Sequence, residues 1–185
     1  MGDKTRMALI GLGGRGIGLL KLVYLEHPDV IFSAVCDVYE DRCREAADLI
    51  EKSGRPRPDM VQDYHEILGR EDKKYVGCEV GGAYSLTECW KLVEAYERTK
   101  TPVMLMENCV YGRNEMMAAH MAEQGALGKI VHCEGGYRHD LREGLAFSKE
   151  NRHYRLTDYI YRNGENYPTH ELGPIARLLK INRGN

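Results

Sequence analysis

Two spacings of apolar residues alternate along this chain. Short apolar runs at residues 8–10, 30–35, 75–80 and 102–106 predict strands, the last of them buried. Between them the apolar positions fall three and four apart, which predicts helices. Residues 17–24 form the first. Residues 41–52 form the second, with Cys43, Ala46, Ala47 and Ile50 on its stripe. Residues 53–58, rich in Gly and Pro, break it as a loop, and residues 63–68 predict a short helix. Ser85-Leu86-Thr87-Glu88 is a capping box. It opens a helix to about Arg98, with Cys89, Leu92, Val93 and Tyr96 on the core side. Residues 115–124 and 171–181 predict further helices, and residues 129–137 a strand. Residues 138–165 read as polar and irregular. Alternating strands and helices predict an α/β fold around a parallel sheet.

The first strand runs into Gly11-Leu12-Gly13-Gly14-Arg15-Gly16, a Gly-x-Gly-x-x-Gly turn between a strand and a helix. Gly11 suits the tight turn, Gly13 the close approach of a pyrophosphate, and Gly16 the packing of helix on strand. The helix start offers free N–H groups to phosphate. The second strand ends at Cys36-Asp37, and Asp37 lies 21 residues past Gly16. A ribose-binding acid is expected roughly 20 residues on. A carboxylate there repels a 2′-phosphate, so NAD is favoured over NADP. Ligands of such sheets gather at the carboxyl ends of the strands. That predicts one rim shared by the glycine turn, Asp37, Glu79 and Asn108.

Composition narrows the rest. The formal charge of -2 gives no general case for nucleic acid or an anionic membrane. No apolar run approaches the ~20 residues of a membrane span. The first strand begins so early that no signal peptide is expected, and the six cysteines contain no C-x-x-C pair. Reduced thiols and a cytoplasmic location are the expectation.

Several separated motifs resemble a known family. Glu79-Val80, the run from Ala83 to Trp90, and Met106-Glu107-Asn108-Cys109-Val110-Tyr111 are similar to the Gfo/Idh/MocA oxidoreductase superfamily. His132-Cys133-Glu134-Gly135-Gly136-Tyr137, then Asn163-Gly164 and Tyr167-Pro168-Thr169-His170, resemble the NAD-dependent glycosidases of glycoside hydrolase family 109. That family is known for α-N-acetylgalactosaminidase activity. The resemblance implies a Rossmann-like dinucleotide-binding domain over residues 1–112, followed by the start of an α+β substrate and oligomerisation domain over 113–185. It places Gly14 and Arg15 beside the pyrophosphate, Asp37 on the ribose, and Glu79, Val80 and Asn108 near the nicotinamide. Tyr137, Arg155, Tyr167, Pro168, Thr169 and His170 would line the sugar pocket.

Two departures stand out. The superfamily's Glu-Lys-Pro signature is Glu79-Val80-Gly81 here. The missing lysine, also absent from family 109, favours a glycosidase over a plain dehydrogenase, and Gly81 is expected to loosen the turn. Between Leu68 and Tyr75 there are only six residues, where the family has a strand and helix of about 30. The first strand is then short of a sheet partner, and exposed sheet edges predict a homo-oligomer.

The implied reaction is transient oxidation of the sugar at C3, loss of the C2 proton, elimination, addition of water, and reduction. Ordinary glycosidases instead use two carboxylates. His170 is the candidate base, against a packing role at a helix start. Tyr137 is a candidate for proton transfer or hydroxyl binding, against a structural role. Arg155 suits a hydroxyl or acetamide oxygen, against simple solvation. Tyr154, Tyr159, Tyr161 and Tyr167 suit a sugar pocket or plain packing. Asp140, Glu143 and Glu171 are the material for a conventional acid pair. No metal is expected, because His132, Cys133, Glu134, His139 and Asp140 lack ligand spacing, and Cys109 has no evident base partner. Two other readings stay open: an NAD-dependent sugar oxidoreductase with net cofactor turnover, and a truncated, inactive nucleotide-binding remnant.

Overall fold

Three parallel strands carry the first of two compact units, residues 1–75 and 76–185. The computed structural model describes residues 4–70, 75–147, 150–153, 155–165 and 167–182. Tyr154 and bridge residues 71–74 lie outside the described residues. In the first unit β1 (Thr5–Ile10), β2 (Val30–Cys36) and β3 (Asp59–Val61) pair in that order. α1 (Gly14–Leu22) and α2 (Glu40–Lys52) are the crossovers, and α3 (Tyr64–Leu68) follows β3.

The apolar stripe of α2 is buried as the sequence predicts. Cys43, Ala46, Ala47 and Ile50 pack with Leu12, Leu20, Phe32 and Val35. Ala34, Cys36, Val61 and Ile67 form a second cluster. Phe32 and Val35 share a cluster although three residues apart. The reason is a slip in the β1–β2 register, which pairs Met7 with Phe32 but Ala8 with Ala34. The extra residue, Ser33, donates its hydroxyl to the Met7 carbonyl at 3.2 Å. An extra residue in one strand shifts the alternation by one. The 53–58 loop is pinned by Arg55, which donates to the carbonyls of Val30, Leu25 and His27 at 2.8–3.0 Å.

In the second unit β4 (Val76–Cys78) and β5 (Val103–Leu105) form a parallel pair crossed by α4 (Leu86–Thr99). The capping box is present in full: Ser85 accepts from the Glu88 amide, and the Glu88 carboxylate accepts from the Ser85 amide. Among the described residues five more helices follow: α5 (Asn108–Tyr111), α6 (Arg113–Glu123), α7 (Arg142–Ala146), α8 (Arg155–Tyr161) and α9 (Pro168–Leu178). α9 packs on α5 and α6. It starts three residues earlier than predicted, because Pro168 suits the first helical position.

Several expectations give way. Among the described residues the strands form two sheets, β1-β2-β3 and β4-β5. The face of β5 predicted to be buried is exposed, as are Cys89, Leu92, Val93 and Tyr96 of α4. A parallel strand is buried only when both faces are covered, and a two-stranded sheet with one crossover helix cannot do that. Residues 129–137 form no strand, because no described segment offers them a ladder. The 138–165 stretch contains α7 and α8. β1 is half-exposed along its length and has β2 as its partner among the described residues, so it is an edge where a central strand is expected. No described helix is long and apolar enough to cross a membrane.

Ser85→Ala removes the cap on α4 and is expected to cost about 1 kcal/mol of stability, read as a lower urea midpoint at unchanged slope. Gly16→Ala is expected to lower the thermal midpoint more sharply. A Cβ there overlaps the Gly11 carbonyl, which is rigid backbone.

Candidate functional site

The first unit builds a cradle-shaped glycine turn at the carboxyl end of β1. Gly11 turns the chain at φ +87°, a conformation that favours glycine. Gly13 caps α1 without a side-chain hydrogen bond, and no acidic residue lies in the first turn. Gly14 and Arg15 are exposed. No side chain therefore caps the first turn of this nine-residue helix. Gly16 packs directly on the turn.

Asp37 stands beside this cradle and is only 8% exposed. Its two oxygens accept from the Leu12 amide at 2.7 Å and the Tyr39 amide at 3.0 Å. The Arg42 guanidinium lies 3.8 Å away. Asp37 thus ties the glycine turn to the end of β2. An ionised carboxylate has about four acceptor sites, so ribose hydroxyls still have lone pairs to meet.

The second unit gathers the other predicted residues. Glu79 and Val80 follow β4 and are half-buried. Gly81 sits at φ +81°. Proline is locked near -65°, so this turn is a different one from the family's, and not a loosened version. Asn108 is exposed at the start of α5. Tyr167, Pro168, Thr169 and His170 form the start of α9. The Tyr137 ring meets His170 edge-on at 4.5 Å, and Tyr167 stacks on His170 at 5.3 Å and 15°. Tyr137 and Tyr167 meet edge-on at 6.0 Å, and Arg155 lies 4.9 Å over the Tyr167 ring. Residues 137, 155, 167 and 170 are thus one cluster. Asp140 is exposed and paired with Arg142 at 2.6 Å, which argues against its use as an acid.

The residue passed over in the sequence is Glu107. It lies two residues past β5, beside Asn108, and is 3% exposed. Its carboxylate accepts from the Thr169 hydroxyl at 2.5 Å, the Cys109 amide at 2.9 Å, and His170 Nδ1 at 2.6 Å. Burial pushes this carboxyl up, but the hydrogen bonds from Thr169, Cys109 and His170 outweigh it and hold the group below its ordinary range. Gly173 makes the contact possible. A Cβ there would come within 2.6 Å of Val110 Cγ2, so only glycine lets α9 lie this close to α5. Glu107, Cys109 and His170 also bring one ligand-type atom each within 4.8 Å of one another. With three donors already on the carboxylate, the cluster is organised as a hydrogen-bond hub.

Comparison with known proteins finds relatives of the chain. Residues 111–185 match the family "Glycosyl hydrolase 109, C-terminal domain". A glycosyl hydrolase family 109 protein of Streptomyces niveus is 36% identical over 210 residues, covering 98% of this chain and 42% of the relative. An alpha-N-acetylgalactosaminidase of Bacteroides fragilis is 33% identical over 212 residues, covering 98% and 49%. The chain thus spans less than half the length of these relatives. Their aligned stretches of 210 and 212 residues exceed the 185 of this chain. At least 25 aligned positions therefore face no residue here, close to the size of the strand–helix unit that the sequence lacks.

Among solved structures, scyllo-inositol dehydrogenase from Lactobacillus casei, with bound NAD(H) and scyllo-inositol, superposes at a TM-score of 0.69. It is 11% identical, and the match covers 95% of this chain and 56% of that one. Myo-inositol 2-dehydrogenase from Lactobacillus plantarum gives 0.68 at 12% identity, with the same coverage. At such identities the likeness shows the fold. Along nearly its whole length the chain resembles glycosyl hydrolase family 109 proteins, residues 111–185 match that family's C-terminal domain, and its Rossmann-like fold is shared with inositol dehydrogenases.

Proposed function

We propose that this chain is an NAD-dependent glycosidase acting on α-N-acetylgalactosaminide-type linkages by transient oxidation, elimination, addition and reduction. The observation that carries the reading is the His170 cluster: an imidazole held by a buried carboxylate and flanked by Tyr137, Tyr167 and Arg155. The relative named for α-N-acetylgalactosaminidase supports the substrate class.

The cofactor fits the residues present. The uncapped start of α1, with Gly14 and Arg15 exposed, suits a pyrophosphate, and the spare lone pairs of Asp37 suit ribose hydroxyls. Glu79, Val80 and Asn108 would face the nicotinamide half. When bound, NAD supplies a hydride acceptor, and later the donor, for the sugar carbon. His170 is the base: with Nδ1 on Glu107, its other nitrogen is left to take the C2 proton. Tyr137 binds a sugar hydroxyl or passes a proton to it. Arg155 presents its guanidinium to the acetamide oxygen while stacked on Tyr167. Thr169 holds the carboxylate that holds the base.

A net oxidoreductase is the competing reading, favoured by the fold of the inositol dehydrogenases. The two part on cofactor recycling. Protein denatured after purification is expected to release near-stoichiometric NAD, counted by mass spectrometry. With an α-N-acetylgalactosaminide, sugar release should then proceed without stoichiometric NADH. Net NADH in step with turnover assigns the chain to the oxidoreductases. No NAD after soaking at millimolar concentration overturns both. Asp37→Ala is expected to lower the bound NAD. His170→Ala should leave NAD in place and lower kcat by about 10²- to 10⁴-fold.

A further inference from the structure

Glu107 exchanges no proton with the sugar in the reaction as so far described, yet it is the most deeply buried charge among the described residues. Both of its oxygens are committed. Oε2 accepts from the Thr169 hydroxyl, and Oε1 from the Cys109 amide and from His170 Nδ1. The backbone bond caps α5, and the two side-chain bonds reach α9, 62 and 63 residues later. The carboxylate is therefore fixed in rotation by its neighbours on both helices.

We infer that Glu107 is a positioning residue that sets the tautomer of His170, so that Nδ1 carries the proton and Nε2 the lone pair. This rests on the reading of His170 as base. An ionised carboxylate only accepts, so the nitrogen 2.6 Å from it must be the donor. A neutral imidazole carries one N–H, and the lone pair then falls on the other nitrogen. Ring orientation is set as well. Tyr167 stacks on the imidazole, Tyr137 meets it edge-on, and the close approach at Gly173 holds α9 in place. Tautomer, plane and position are thus determined before any sugar arrives, and a base oriented in advance lowers the barrier without reorganising during the reaction.

The alternative is a purely structural tie between α5 and α9. The two are separated by an imidazole measurement that needs no turnover. In the full chain with ¹⁵N-labelled histidine, long-range ¹H–¹⁵N correlation reports which ring nitrogen is protonated. His170 is identified among the seven histidines by comparison with His170→Gln. The expected wild-type pattern is a protonated Nδ1 and a bare Nε2. In Glu107→Gln the amide NH2 can donate to Nδ1, so the Nε2–H form should appear. Kinetically, that variant should lose kcat by on the order of 10³-fold, with KM little changed. A wild-type Nε2–H tautomer overturns the assignment, even if Glu107→Gln does not fold. So does a folded Glu107→Gln that keeps the wild-type tautomer or the wild-type kcat. If the expected tautomer is found in a protein that turns over no glycoside, the reading of the reaction falls and the role of Glu107 on His170 stands.

Discussion

A carboxylate removed from water must be met by donors, and that constraint organises both units of this protein. Asp37 and Glu107 are the buried charged residues among those described, one in each unit. Both lie just past the carboxyl end of a parallel strand, where backbone amides of the following turn are within reach. Each accepts such an amide: Tyr39 for Asp37, and Cys109 for Glu107. Each then reaches a second, distant segment: the glycine turn at Leu12, or the start of α9 at Thr169 and His170. An unpaired charge at either place would be costly, so the segments that supply the donors are held there. The segments so held are those on which the cradle and the His170 cluster are built.

Much of this was legible in the chain itself. The stripe on α2, the box opening α4 and the glycine turn are local patterns, and each forms as read. Local patterns suffice where a short stretch carries its own instructions: a period, a cap, a turn. The strand expected over residues 129–137 has alternation but no ladder. A strand is a property of two segments, and only one is present among the described residues. Glu107 was missed for a similar reason. Its partners lie more than sixty residues along the chain. A single acid at a strand end looks no different from its exposed neighbour Asn108. The signal available was the pairing of a strand-end acid with a hydroxyl and an imidazole on adjacent residues of a later helix start.

The shortened bridge between Leu68 and Tyr75 has its physical trace in the sheets. A strand–helix unit placed there would cover the free side of β1. Without it β1 is a half-exposed edge, and β4 and β5 form a pair of their own with apolar side chains in solvent. The first unit nonetheless keeps a closed core, because α2 and β2 make most of it. The cradle at Gly11, Gly13 and Gly16 depends on β1, β2 and α1, all of which are present. The glycine turn and Asp37 are therefore built without the strand–helix unit that the sequence lacks.

In the proposed reaction the second unit would supply a base without the lysine of the Glu-Lys-Pro signature. Val80 cannot carry a proton, and Gly81 takes a backbone conformation closed to proline. The first turn of α9 places Thr169 and His170 against Glu107, which is where the proposed reading puts the base. A lysine in that role needs a depressed pKa to act as a base near neutrality. An imidazole needs only the correct tautomer, and a neighbouring carboxylate imposes it without any change of compartment or metal. On the proposed reading, the buried Glu107 and the missing lysine are two sides of one arrangement, in which a hydrogen-bonded histidine would do the work usually given to an ammonium group.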